Sequence, residues 1–469
     1  MPTPRRLLAC VLPLVLAASA TAASLPPEVG VLLKQAGVSP EHVAIYVKPA
    51  DSRNPTLSWH GDRAMSPASV MKLLTTYAGL ELLGPAFRWQ TEFHATGDIA
   101  NGVLDGNLVL RGGGDPKLSL ERLWLMLREL RARGVREIRG DIVLDRLYWQ
   151  PQAADPNAFD GHGYRTYNVG PDAFLANFQS VELRLRPAAG SVELMADPAL
   201  PSMKLDNQLR LDGADCGDWK EKITVKVGDD GRVLLHGPLA ASCGERHLYV
   251  SLYNPPRYFD EALRWMWQDM GGQWRGRLRD GQLADWPEAR PLFVFDSLPL
   301  AEVVRDINKF SNNTQARMLF LALGGAYQPV DALLPQAAAR IKGWLAGKHL
   351  DFPELVIENG SGLSRDERIS AEHLGRLLES ALTSPVGPEL LSSLPVVAVD
   401  GTMKKRLSGS GVAAHIKTGS LDGVRSVAGV VHLPDGPVIV VGIINDARAA
   451  AAVPALDALI EWAGRPARP

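Results

Sequence analysis

The sequence predicts a mixed α/β (α+β) protein whose core is built from both ends of the chain around a β-rich insert. Three observations carry that expectation. Two short strand-like runs, "VAIYV" at 43–47 and "TLSW" at 56–59, precede an apolar helix that begins near Ser66. Two apolar runs near the other end, "VAGVVHL" and "PVIVVGII", flank a Pro434-Asp435-Gly436 turn and read as paired strands. Between them, residues 93–290 change texture to short alternating runs separated by Gly and Asp-Gly turns, an insert of roughly 200 residues.

The first element is a targeting segment. "MPTPRRLLACVLPLVLAASATAAS" sets Arg5 and Arg6 before an apolar run that ends in small residues at Ala20-Thr21-Ala22. Residues 1–22 therefore read as a secretory signal, cut after Ala22. The run is short for a bilayer span, and Cys10 lies before most of it, unlike a lipid-anchor cysteine. No later segment reaches spanning length, so the expected protein is exported to the periplasm without a transmembrane anchor. After cleavage Cys216 and Cys243 remain, and an oxidising compartment favours a disulfide between them over two separate buried thiols.

A chain of 469 residues implies two or three folded units, and a formal charge of −2 argues against a nucleic-acid or membrane-surface role. The expected division is residues 23–92 with 291–469 as one discontinuous domain, and 93–290 as an insert of two nested domains.

In "SPASVMKLLT" Ser66 is expected as helix N-cap and Pro67 as the first helical residue. Ser69 then falls in the first turn, Lys72 one turn later on the same face, and Leu73, Tyr77 and Leu80 form the buried stripe. The insert supplies strands in "GNLVLRGGGDPKL", "GDIVLD", "VELRLRP", "ITVKV" and "HLYVSLY", and a helix in "SLERLWLMLRELRARG". Phe259, Leu263, Met266 and Met270 share one face of a second helix, where core packing is the simple reading. "RGGGDP" reads as a tight turn, and "GWLAGK" is one residue short of a P-loop. From residue 297 helical periodicity returns, with Leu300, Val303, Val304, Ile307 and Phe310 on one face. "AAAVPALDALIEWAG" is a final helix that covers the sheet.

The chemistry is carried by three short motifs. No G-x-S-x-G elbow and no H-E-x-x-H occurs, which removes the usual signatures of Ser-His-Asp hydrolases and zinc proteases. A serine hydroxyl needs a base, and a lysine serves as one only when burial or a second cation lowers its pKa. Ser69-Val70-Met71-Lys72 is the only S-x-x-K in the chain, and Lys417-Thr418-Gly419 the only K-[ST]-G. S-x-N occurs at Ser52 and at Ser311; only the second falls between them, in a loop between two helical stretches.

The serial order S-x-x-K, S-x-N, K-T-G resembles that of the penicillin-recognising serine enzymes, D,D-peptidases and serine β-lactamases. The 242-residue separation of Ser69 from Ser311, with "GGGDP", "NGSGLSR" and "LPVVAVDGTMKKR", is similar to the class C low-molecular-mass penicillin-binding proteins, the D-alanyl-D-alanine carboxypeptidase/endopeptidases. The resemblance runs over essentially the whole chain after the signal. It implies a transpeptidase-like core of antiparallel sheet flanked by helices, with Lys417 on an edge strand beside the serine helix. Ser69 is then the acylated nucleophile and Lys72 its base. Ser311 relays a proton to the leaving group, and Asn313 bonds a substrate carbonyl. Lys417 and Thr418 hold the terminal carboxylate, Gly419 lets substrate lie along the strand, and the backbone N–H groups of Ser69 and Ser420 form the oxyanion hole. Arg365, and Asp160 in the insert, are candidates for recognising a stem-peptide side chain, Asp160 having a solvated loop position as its plain alternative. Asn359 stands where the family usually has aspartate. The implied partners are peptidoglycan stem peptides and β-lactams as acylating inhibitors, with no metal or organic cofactor. A serine β-lactamase or related esterase shares the three motifs, and an inactive cell-wall-binding protein is the alternative of a different class.

Overall fold

The computed structural model describes residues 24–150, 152, 155–228 and 230–465. The expected signal segment, with Cys10, lies outside the described residues.

A five-stranded antiparallel sheet organises the core. Its order is Leu57–Trp59, Val43–Pro49, Gly436–Asn445, Val424–Leu433, Ala414–Leu421. Two strands from the start of the chain thus join three from its end, and Val43–Pro49 pairs along its whole length with Gly436–Asn445. Both faces of the sheet are covered. Val43, Ile45 and Val47 pack with the helices Pro27–Ala36 and Val453–Ala463, whereas Ala44 and Tyr46 face a larger helical layer. A strand buried on both sides has no polar face to display, which is why "VAIYV" is continuously apolar.

The larger layer holds the helices Lys72–Leu83, Leu300–Lys309, Asn313–Gly324, Val330–Gly347 and Ala371–Leu382. Lys72–Leu83 lies at its centre and is buried on every side from Lys72 through Leu80, not only along Leu73, Tyr77 and Leu80. A helix apolar all round belongs inside a layer rather than on its surface.

A separate apolar cluster spans residues 93–293, with the helices Leu120–Ala132 and Pro255–Asp269 packed on short strands. Phe259, Leu263 and Met266 are buried there as the periodicity predicts, and Met270 is partly so. Not all pairing is hairpin-like: Leu108–Gly112 runs parallel to Ile142–Asp145, because the helix Leu120–Ala132 crosses back between them. Lys204–Asp212 is likewise parallel to Arg232–Ala240.

Two local expectations differ from the structure. Ser66 does not cap a helix: Asn445 Oδ1 accepts its N–H at 2.9 Å, and Asn445 Nδ2 donates to its carbonyl at 3.0 Å. Ala68 takes a left-handed φ of 47°, so a 3-10 turn, Ala68–Met71, intervenes and the α-helix begins at Lys72. Phe310 leaves the buried face of its helix and is 70% exposed, because the helix ends at Lys309 and Ser311 reverses the chain at φ 58°. Lys309 is buried instead, with its amine 2.6 Å from Asp400.

Cys216 and Cys243, 27 positions apart in sequence, form a disulfide with Cα atoms 4.8 Å apart. Replacing both by Ser reopens that loop in the unfolded chain, an expected loss of about 3 kcal/mol. Denaturant unfolding is the measurement, and the bond lies in the 93–293 cluster.

Candidate active site

The 3-10 turn brings Ser69 and Lys72 together, since side chains three apart eclipse in that geometry. Lys72 Nζ lies 2.9 Å from Ser69 Oγ, 2.7 Å from Asn313 Oδ1 and 2.5 Å from the carbonyl oxygen of Ser361. The last two atoms only accept. A neutral amine offers two N–H groups and one lone pair, so it satisfies both acceptors and turns its lone pair to the Ser69 hydroxyl. Lys72 is completely buried, and that burial holds its pKa well below the usual lysine range; the positive charge of Lys417 lowers it further. The loop that supplies the Ser361 carbonyl approaches closely: a Cβ on Gly362, at φ 76°, would stand 1.9 Å from the Ala68 carbonyl oxygen.

The second motif caps its own helix. Asn312 accepts the N–H of Gln315 and starts the helix Asn313–Gly324, which aims Asn313 at Lys72. Ser311, one residue before, is left-handed and places its Oγ 2.9 Å from Lys417 Nζ. Lys417 is also completely buried, and desolvation lowers its pKa to about 7. Its remaining contact is the Thr418 carbonyl, at 2.6 Å.

The third motif lies on the free edge of the core sheet. Ile416 N–H and Ala414 C=O bond outward to Pro395 and Val397. Alternation along an antiparallel strand then turns the N–H groups of Thr418 and Ser420 outward as well, away from the neighbouring strand. Gly419 presses against the serine turn, where a Cβ would stand 2.1 Å from Ser426 Oγ, 2.7 Å from the Pro67 carbonyl oxygen and 3.1 Å from Ser69 N. The Ser420 N–H therefore opens toward the same space as Ser69. Ser426 Oγ donates to the Pro67 carbonyl at 2.6 Å and pins the turn to the sheet.

Thr418 Oγ1 donates to Thr402 Oγ1 at 2.7 Å. The turn carrying Thr402 is anchored by Asp400, which accepts from Lys309 Nζ at 2.6 Å and from Val396 N–H at 2.8 Å. Asn359 Oδ1 accepts from the Ser361 N–H at 2.9 Å and from Ser361 Oγ at 2.6 Å, while its Nδ2 donates to the Leu363 carbonyl at 3.1 Å.

The two specificity candidates sit at the rim. Arg365 is exposed, donates to the Asp422 carbonyl at 3.0 Å, and lies 5.3 Å from the Phe159 ring centre. Phe159 packs on Ala68, Leu363, Leu421 and Val424 beside the serine turn. Next to it, Asp160 accepts from Tyr167 Oη at 2.6 Å, Asn168 Nδ2 at 2.7 Å and the His162 N–H at 3.0 Å. Desolvation, which raises its pKa, is outweighed by these bonds, which hold the carboxyl below the ordinary range. Thr402, Lys309, Asn445 and Glu367 also belong to this network and were not singled out from the sequence; Thr402 falls within "LPVVAVDGTMKKR", Lys309 and Asn445 meet their partners across fold contacts, and Glu367 acts within its own loop.

A model of the D-Ala-D-Ala carboxypeptidase 3 (S13) family matches residues 27–465. The chain belongs to that family. It is 27% identical to the D-alanyl-D-alanine carboxypeptidase DacB of Haemophilus influenzae over 79% of this chain and 78% of that one. The D-alanyl-D-alanine carboxypeptidase of Actinomadura sp. is 29% identical over 82% and 74% of the two chains. The crystal structure of H. influenzae penicillin binding protein 4 superposes with a TM-score of 0.72 at 25% identity, covering 89% of this chain and 93% of that one. A predatory endopeptidase of Bdellovibrio bacteriovorus shares the fold at a TM-score of 0.53 and 17% identity, over 90% and 94%.

Gly419→Ala tests the closeness of strand and turn. The added methyl displaces the edge strand from Ser69, and the expected outcome is a fall of about 10²-fold in kcat for D-Ala release, the size of effect that misplacing one backbone donor produces.

Proposed function

We propose that the protein is a serine D,D-carboxypeptidase of peptidoglycan stem peptides, working through an acyl-enzyme on Ser69, and that the same chemistry cleaves D-amide cross-links as an endopeptidase. One observation carries this reading: a fully buried lysine amine in contact with the hydroxyl of the only S-x-x-K serine, with a second buried amine on the S-x-N serine opposite.

Ser69 Oγ attacks the carbonyl carbon of the D-Ala-D-Ala bond while Lys72 Nζ accepts its proton. The oxyanion that forms meets the N–H groups of Ser69 and Ser420, a contribution of about 3 kcal/mol per donor. The C–N bond then breaks, and the departing D-alanine amine takes a proton through Ser311. Lys417 stabilises negative charge at that hydroxyl and, with Thr418, holds the substrate carboxylate. Asn313 Nδ2 is the donor for a substrate carbonyl, because Asn313 Oδ1 is committed to Lys72. Water hydrolyses the ester in the same geometry. The outward N–H groups of the edge strand suit an extended peptide added as a further strand. Arg365 and Asp160 are assigned to the outer end of that peptide.

The same reading places the enzyme in the periplasm, exported by residues 1–22. The described residues contain no helix long and apolar enough to cross a membrane. Residues 23–92 and 291–469 form the catalytic unit and 93–290 the insert. β-Lactams acylate Ser69 as substrate mimics; a crystal structure of H. influenzae penicillin binding protein 4 holds one.

Ser69→Ala should abolish both D-Ala release and labelling by a fluorescent penicillin. Release at the wild-type rate would end the proposal, and rapid penicillin turnover by the wild type would make it a β-lactamase. A pH dependence follows from Lys417. With its pKa lowered to about 7, its charge is present below that pH and lost above it. KM for a D-Ala-D-Ala peptide should therefore rise as pH climbs through about 7, while KM for its C-terminal amide stays flat.

A further inference from the structure

The mechanism leaves one buried acid without a task. Glu367 is 0% exposed, and its charge acts on Lys72. Its Oε1 accepts the N–H groups of Glu358, Asn359 and Gly360, each at 3.1 Å. Those residues lead directly into Ser361, whose carbonyl accepts from Lys72. The carbonyl just before it, of Gly360, accepts from Thr75 one helical turn beyond Lys72 at 2.7 Å. Glu367 Oε2 is buried and makes no hydrogen bond among the described residues. Burial raises its pKa; the three amides and the charge of Lys72 oppose that rise, and its own charge acts on Arg317 of the helix Asn313–Gly324.

From this geometry we infer that Glu367 is a positioning residue for the base: it gathers the 358–360 amides so that the Ser361 carbonyl meets Lys72, and it supplies the one anionic charge that acts on that amine. This rests on Lys72 being the base. The charged groups facing Lys72 are Lys417 from the edge strand, Arg317 from the helix and Glu367 from the loop. Two cations and burial push its proton off; Glu367 alone opposes them. An amine stripped too far of basicity is a poor acceptor for a serine proton, so the anion keeps the base within working range. The side chain at 359, an asparagine in this chain, is fully spent on Ser361 and Leu363 and brings no charge of its own.

Glu367→Gln keeps an oxygen for the three amides and removes only the charge. The Lys72 pKa then falls, and the acidic limb of kcat/KM for D-Ala release should move to lower pH by about one unit, with a lower plateau. Glu367→Ala should show the same displacement together with at least tenfold slower penicillin acylation, because the Ser361 carbonyl is no longer held. Arg317→Gln removes a cation and should move the limb the opposite way, which keeps the inference testable if the Glu367 variants do not fold. A purely structural Glu367 would lower activity with the limb unmoved, and that result, or an unmoved limb in Arg317→Gln, overturns the inference. Lys72→Ala separates the two levels. If it is inactive while the limb stays fixed in Glu367→Gln, only this inference falls; if it still releases D-Ala, the assignment of the base falls first.

Discussion

The buried amine of Lys72 is the constraint around which the site is built. A lysine removed from water must either lose its proton or find anionic company. This one is met by a hydroxyl, a carboxamide and a backbone carbonyl, none of them charged. Each comes from a different part of the chain, so the amine works as a junction: the serine turn, the helix Asn313–Gly324 and the 359–362 loop are all referred to one nitrogen. Lys417 repeats the pattern across the cleft with Ser311 and Thr418. Burial lowers the pKa of both amines, and the charge of Lys417 lowers that of Lys72 further.

Around that junction the backbone is held in shapes that side chains seldom adopt. Ala68, just before Ser69, and Ser311, which opens the second motif, both have φ in the left-handed region. Such residues are strained by about 1 to 3 kcal/mol each and persist where neighbours over-determine them. Here the neighbours are identifiable. Ser426 and Asn445, from the two C-terminal strands, hold the backbone of Pro67 and Ser66. Gly419 and Gly362 let other segments come within touching distance of the turn.

Much of this was legible in the sequence. Residues 43–47 and the two C-terminal apolar runs announced the sheet because a strand buried on both faces has to be continuously apolar. The three motifs named side chains that the fold does bring into contact, Ser69 with Lys72 and Asn313, and Ser311 with Lys417. What stayed hidden was non-local or depended on a single dihedral. Ser66 before Pro67 has every local mark of a helix cap, and only the distant Asn445 and the φ of Ala68 redirect it. Phe310 continues an apolar periodicity, but the helix stops one residue earlier. Glu367 and Arg317 look like ordinary surface charges in a loop and on a helix, and nothing in the linear order brings them to Lys72, which lies 295 and 245 residues upstream of them.

The pairing of Val43–Pro49 with Gly436–Asn445 has a consequence for how the enzyme comes into being. Ser69 precedes the insert, whereas Ser426 and Asn445, which brace its turn, and Lys417, which faces Ser311, all follow it. No local stretch of the chain can therefore assemble the pocket by itself. Its formation is tied to contacts of long sequence separation, the kind that raises contact order and slows folding.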